Sequence, residues 1–168
     1  MKIYALTEQH DQQTVQKATE LLMGQMESIG GEHAYDNILT TLHEAKDPDS
    51  NAELFIAEDQ GIMVGAAFLN TMYSIRKGGR YVWLNDLYVR EDQRNKGIAK
   101  KMLLAIIHWA EQHDYKGIEL ETGINNIATK RLYNSLGFYD VVSKRYGSNF
   151  KNTSRKFLTC KRESLWLL

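Results

Sequence analysis

The stretch from Trp83 to Ala110, WLNDLYVREDQRNKGIAKKMLLAIIHWA, constrains the fold of this chain more than any other. Val82, Leu84, Leu87 and Val89 supply the apolar, β-favouring residues of a short buried strand. A polar turn follows, Arg90-Glu91-Asp92-Gln93-Arg94-Asn95-Lys96-Gly97. The apolar period then changes from two to about 3.6, with Ile98, Ala99, Met102, Leu103, Ile106, Trp109 and Ala110 on one broad helical face. Such a helix begins with backbone N–H groups that have no partner inside it, and its dipole adds roughly half a positive charge there. Arg94, Lys96 and Lys100 add full charges, and Gly97 lets a ligand approach the backbone with no Cβ in the way. The pattern predicts a pyrophosphate site.

Around this unit the chain alternates regularly. Lys2–Leu6 reads as a first strand. Thr14–Ile29 and the stretch holding Tyr35, Ile38, Leu39 and Leu42 read as two amphipathic helices, parted by Gly30-Gly31. Leu54–Glu58 and Met63–Thr71 form a hairpin about Asp59-Gln60-Gly61, and a second turn, Arg76–Arg80, leads into the central strand. Beyond the central helix come a strand at Ile118–Thr122, a short helix at Ile127–Leu136 ended by Gly137, a strand at Phe138–Val142 and a last strand at Lys156–Cys160. The order β-α-α-β-β-β-α-β-α-β-β predicts an α/β fold, a mixed sheet with helices on both faces. No repeat or linker interrupts it, so one domain over residues 1–168 is expected.

Charge and cysteine use narrow the classes of function. Lys and Arg equal Asp and Glu in number, so the overall balance points to no nucleic acid and no membrane surface. The first residues carry no apolar stretch of signal-peptide length and no run is long enough to span a bilayer, so a cytoplasmic location is expected. Cys160 is the one cysteine, which excludes an internal disulfide, and His108 and His113 stand five apart, the wrong spacing for a metal pair on one helical face. No metal is expected. Asn152-Thr153-Ser154 is a chance sequon in such a compartment.

Arg94-Asn95-Lys96-Gly97-Ile98-Ala99 resembles the Arg/Gln-x-x-Gly-x-Gly/Ala signature of the GCN5-related N-acetyltransferase (GNAT) superfamily, between a strand ending Leu-Tyr-Val and a long helix. Asn126 through Phe138 resembles its second motif, Asn-x-x-Ala-x-x-Leu-Tyr-x-x-Leu-Gly-Phe, with Thr129 in place of the alanine. The match covers about residues 82–142. Neither a Walker loop nor a dinucleotide fingerprint fits the spacing about Gly97. The resemblance implies a GNAT-like, mostly antiparallel sheet and acetyl-CoA as cosubstrate. It implies that residues Arg94, Asn95, Lys96, Gly97, Ile98, Ala99 and Lys100 hold the pyrophosphate. It further implies that the backbone near Leu87 and Val89 pairs with the pantetheine, and that Asn126 touches the same arm.

Acetyl transfer to an amine needs a proton removed from the amine, a stabilised oxyanion and a proton for the departing thiolate. Tyr133 matches the tyrosine that relatives commonly use as the acid; a phenol of pKa about 10 suits a thiolate of pKa about 8.5. Some relatives carry a carboxylate four residues before the strand-ending valine, where this chain has Asn85. Strand alternation turns Asp86 to the opposite face from Asn85, and Glu119 and Glu121 share a face of the next strand. Asp86 and Glu121 are the base candidates, with a water relay as the alternative. Two classes stay open: an enzyme acetylating a primary amine on a small molecule or peptide, and a catalytically inactive acetyl-CoA-binding sensor. Eight acids between Glu27 and Glu58 (Glu27, Glu32, Asp36, Glu44, Asp47, Asp49, Glu53, Glu58) against Lys46 predict an acidic wall that would favour a polycationic acceptor. Seven basic residues from Lys144 to Arg162 form either a solvated hairpin or a contact for nucleotide phosphates. The apolar end Ser164–Leu168 docks either on its own domain or on a second copy; a homodimer is the expectation.

Overall fold

The computed structural model describes residues 1–26, 31–123 and 125–141. The chain divides into two compact units, Met1–Phe138 and Tyr139–Leu168. The expected strand at Lys156–Cys160, the basic run 144–162 and the apolar end at 164–168 lie outside the described residues, as do Glu27 and the glycine break at Gly30.

The first unit runs β1 (Lys2–Ala5), α1 (Gln12–Met26), α2 (Ala34–Glu44), β2 (Ala52–Asp59), β3 (Ile62–Ser74), β4 (Gly79–Val89), a short 3-10 turn (Glu91–Gln93), α3 (Ile98–Gln112), β5 (Ile118–Leu120) and α4 (Ile127–Asn134). The strands form one sheet in the order β1-β2-β3-β4-β5. Every neighbour pair is antiparallel except β4 and β5, which run parallel across the α3 crossover. The α/β, mixed and mostly antiparallel architecture is the one expected. At the β2–β3 hairpin Asp59 pairs with Ile62, leaving Gln60 and Gly61 as a two-residue turn with φ of 50° and 79°. Both central positions of such a turn need positive φ, which Gly61 adopts freely and Gln60 only against its steric preference.

Period-two alternation loads the two sheet faces with different cores. Leu54, Ile56, Ala66 and Tyr88 meet Val15, Ala18, Leu22 and Leu42 of α1 and α2 on one face. On the other, Phe55, Ala67, Leu69, Val82 and Leu84 meet Met102, Leu103, Ile106 and Ala110 of α3, and Tyr133 joins them from α4. Each large side chain removed from water contributes about 1.5–3 kcal/mol, so this double layer anchors β4 between two cores.

Two departures from the sequence reading matter for the site. Register slips where Phe68 faces Asp86 and Leu69 faces Leu84, so Asn85 is an extra residue, a β-bulge in the middle of β4. The expected strand at Phe138–Val142 is absent over residues 138–141, and Val142 lies outside the described residues. Gly137 takes φ 86°, and the Phe138 amide donates to the Tyr133 carbonyl at 3.2 Å while the Gly137 amide donates to Asn134 at 3.1 Å. Phe138 therefore closes the end of α4 and packs on Tyr133, ring centroids 5.8 Å apart, instead of extending.

Gly65 sits where β3 packs closely against α3 and against the β4 backbone. A Cβ there would sit 2.9 Å from Met102 Sδ and 3.0 Å from the Tyr88 carbonyl oxygen. The carbonyl belongs to the β4 backbone and cannot yield. Gly65→Ala is expected to cost about 1–3 kcal/mol through overpacking. Urea unfolding with an unchanged midpoint would contradict this.

Candidate active site

The loop from Arg90 to Gly97 is shaped by its backbone hydrogen bonds and two left-handed residues. Arg90 N–H donates to the Val64 carbonyl at 3.0 Å, anchoring the loop to β3, and Arg94 N–H donates to Glu91 at 3.2 Å. Asn95 adopts φ 63° and Gly97 φ 75°. Asparagine is among the few non-glycine residues that accept this conformation readily. Together they turn the chain into α3, where Gly97 is the N-cap and supplies no side-chain cap. The amides of the first helical turn are left to external acceptors. A Cβ built on Gly97 meets nothing within 4 Å, so the space beside these amides is open. Ile98 is buried and ties the turn to the core, while Lys100 is exposed.

The basic residues are not equivalent here. The Arg94 guanidinium donates to the Val89 carbonyl at 3.1 Å and to Glu91 at 3.1 Å, and lies over the Tyr88 ring at 5.9 Å. It braces the loop. Lys96 Nζ donates to Gln93 Oε1 at 2.8 Å on the surface. An exposed contact of that kind is weak and easily exchanged for an anion. The arrangement fits a pyrophosphate held by the helix-start amides with lysine charge nearby.

Beside this loop the sheet opens. β4 and β5 pair only through Val82–Leu84 and Ile118–Leu120, and the β5-facing edge of β4 beyond Leu84, past Leu87 to Val89, has no ladder partner among the described residues. An extended amide-containing arm can pair with such an edge as an added strand would. The gap widens into a cleft of about 180 Å³ lined by Leu84 to Leu87 of β4, Glu121 and Thr122 after β5, Asn126, Thr129 and Tyr133 of α4, and Gln25 of α1. A wider depression of about 460 Å³ lies between α1 and the β2–β3 hairpin, lined among others by Lys17, Tyr88 and Arg90. Volume does not choose between them; the narrower cleft is where carboxylates, amides and a phenol converge.

Tyr133 reaches the cleft from α4, whose start is fixed by Asn126: its side-chain oxygen accepts the Thr129 amide at 3.2 Å. Asn126 thus caps the helix while lining the cleft. Tyr133 is 8% exposed, and burial pushes its hydroxyl above the ordinary tyrosine pKa, keeping it a proton donor. Asp86, half-buried, accepts from Gln25 Nε2 at 2.8 Å. Asn85 accepts from Asn70 Nδ2 at 2.8 Å. The bulge at Asn85 overturns the alternation argument: Asn85 and Asp86 line the same cleft. Glu121 lies beyond the end of β5 and lines the cleft, whereas Glu119 is paired with Lys77 at 2.9 Å and Arg76 at 3.4 Å.

The acidic run of Glu27 to Glu58 does not contribute to this cleft: none of its described members lines it. Glu58 accepts from the Tyr4 hydroxyl at 3.0 Å. Glu53 is half-buried, its carboxyl pushed up by burial against the opposing pull of His113 and Arg80. Local chain charge is a poor guide to a pocket because strand residues leave for other parts of the sheet. The sequence does not single out Gln25 for a related reason: it stands at i+7 from Ala18 and i+3 from Leu22, a polar residue at a core-facing helical position. Its Oε1 is buried with no hydrogen-bond partner among the described residues. Among those residues no group of three or more His, Cys, Asp or Glu is arranged to hold a metal, and no helix is long and apolar enough to cross a membrane.

A mostly antiparallel sheet that splits between β4 and β5, with helices on both faces and an open helix start at Gly97, sets this chain in the α/β class. Residues 15–138 match the profile of the Acetyltransferase (GNAT) family, and the chain belongs to that family. A 63-residue stretch is 46% identical to the spermine/spermidine N(1)-acetyltransferase of Bacillus subtilis (strain 168), covering 37% of this chain and 41% of that protein. Over 90 residues it is 28% identical to N-acetyltransferase 8 of Rattus norvegicus, covering 54% of this chain and 40% of that one. The matched segment thus spans two fifths of either relative. Among solved structures, a probable acetyltransferase superposes with a TM-score of 0.76 at 19% identity, covering 91% of this chain and all of the other. The aminoglycoside N-acetyltransferase AAC(6')-Iy in complex with CoA gives 0.69 at 20% identity, covering 90% and 95%. At such identities the likeness is one of fold.

Proposed function

We propose that this protein is an acetyl-CoA-dependent N-acetyltransferase that moves the acetyl group directly to a primary amine, on a polyamine-like cation or a lysine-containing peptide, in the cytoplasm. The observation that carries the reading is the cleft where β4 and β5 part, lined by Tyr133, Asp86 and Glu121, on the strand that leads through one loop to the open helix start at Gly97. Acetyl-CoA, when bound, supplies an acetyl group activated as a thioester. The amides of Gly97 to Lys100 would hold its pyrophosphate, with Lys96 and Lys100 adding charge and Arg94 bracing the loop. The edge of β4 at Leu87 and Val89, with Asn126 opposite, would align the pantetheine arm.

Tyr133 holds a proton at Oη, raised in pKa by burial, for delivery to the leaving sulfur. Asp86 and Glu121 attract the protonated amine, and Asp86, directly or through water, takes the proton released on attack. Two carboxylates in a small cleft favour a cation and raise its on-rate, an effect that weakens with salt. The acceptor class is also supported by the spermine/spermidine acetyltransferase among the relatives. A thiol-release assay over spermidine-like amines, lysine peptides, aminoglycosides and neutral amino acids, at low and high salt, tests it. The cationic amines should lead in kcat/KM and lose their lead as salt rises; a preference for neutral amines or a salt-independent rate would contradict the assignment.

A further inference from the structure

Gln25 has no role in the chemistry described so far, yet it is the one α1 side chain that lines the cleft. Its carboxamide is held at one end only. Nε2 donates to Asp86 Oδ1 at 2.8 Å, and Oε1 is buried with no donor among the described residues. The orientation is not interchangeable, because exchanging the two ends would set a carbonyl oxygen against a carboxylate. Asp86 therefore forces a second acceptor, Oε1, to stay buried beside it without a hydrogen. A buried acceptor in that condition is costly and calls for a donor.

We propose that Gln25 and Asp86 form a two-point clamp for the acceptor's primary ammonium, Asp86 supplying charge and Gln25 Oε1 counting N–H groups. The inference rests on the N-acetyltransferase reading. It assigns Gln25 a part in acceptor specificity. A primary ammonium carries three N–H bonds, enough for Asp86, for Oε1 and for one further contact. An N,N-dimethyl ammonium keeps one N–H and leaves Oε1 unsatisfied, which a site built for hydrogen bonding penalises strongly. The bulge at Asn85 matters here, because it brings Asp86 into the cleft that Gln25 lines.

The test compares spermidine with its analogue dimethylated at the reacting nitrogen, using the full chain with acetyl-CoA. In the wild type the analogue should inhibit competitively, with an inhibition constant at least about tenfold above the dissociation constant of spermidine. Gln25→Met should raise KM for the amine at least about tenfold, leave KM for acetyl-CoA and kcat within a few-fold, and abolish the discrimination between the two amines. A folded Gln25→Met protein with unchanged amine KM and unchanged discrimination would overturn the clamp. So would a wild type that binds both amines equally, a measurement that needs no variant. Failure of the wild type to acetylate any primary amine would instead remove the N-acetyltransferase reading, and the clamp with it.

Discussion

Tyr133→Phe is expected to lower kcat by about 10²–10⁴-fold, the range typical of a lost general acid, while acetyl-CoA affinity stays unchanged. The hydroxyl is needed only as the thiolate departs, so its removal should not appear in ground-state binding. The ring itself is buried and packed on Phe138, and phenylalanine fills the same space, so the fold should persist. Burial raises the Tyr133 pKa, so the alkaline limb that this group places on kcat should lie above the ordinary tyrosine value of about 10. The stability consequence has the same direction. The folded state favours the neutral phenol, so its contribution is complete below about pH 10 and is lost as pH rises through the raised value. A phenylalanine variant with wild-type kcat, under conditions where the chemical step limits turnover, would take Tyr133 out of the mechanism.

Gly97→Glu should be equally damaging, but to binding. The residue has φ 75°, and the space where its side chain would project is open, so the substitution adds bulk where the pyrophosphate is expected. A like charge about 5 Å away at an effective dielectric near 20 opposes each phosphate by about 3 kcal/mol. That corresponds to at least about a 10²-fold loss of acetyl-CoA affinity. A glutamate at a helix start interacts favourably with the dipole, by about 0.3–1 kcal/mol, which partly offsets the cost of about 1–2 kcal/mol for a side chain in the left-handed region. The variant should therefore fold. Gly97→Ala separates the two causes, since it adds the Cβ without the charge and should lose far less affinity. Calorimetry showing unchanged affinity in folded Gly97→Glu would place the cosubstrate elsewhere.

Much of this architecture is legible in the sequence for identifiable reasons. The strand–turn–helix unit is readable because its apolar period changes within eight residues, and the observed α3 starts at Ile98 as expected. The Gln60-Gly61 hairpin and the Gly137 helix end are readable because few residues tolerate positive φ. The bulge is subtler, though its trace exists: apolar positions in β4 are even at Val82 and Leu84 and odd at Leu87 and Val89. That slip is an inserted residue, and treating β4 as a regular strand sends Asp86 to the wrong face. Phe138 is misread as strand because β-favouring character does not distinguish an extended residue from the apolar contact that closes a helix. Gln25 and the scattering of the acidic run depend on tertiary placement, which no local pattern encodes.

Direct transfer of an acetyl group from acetyl-CoA to a primary amine leaves two products, a free thiol and an N-acetylated amine. Incubating the protein with both substrates, and following released thiol and the mass of the amine together, tests it most directly. One N-acetylated amine should form for each thiol released, with both signals lost in Gly97→Glu. Thiol release without an acetylated amine, or no turnover with any cationic primary amine despite tight acetyl-CoA binding, would contradict it.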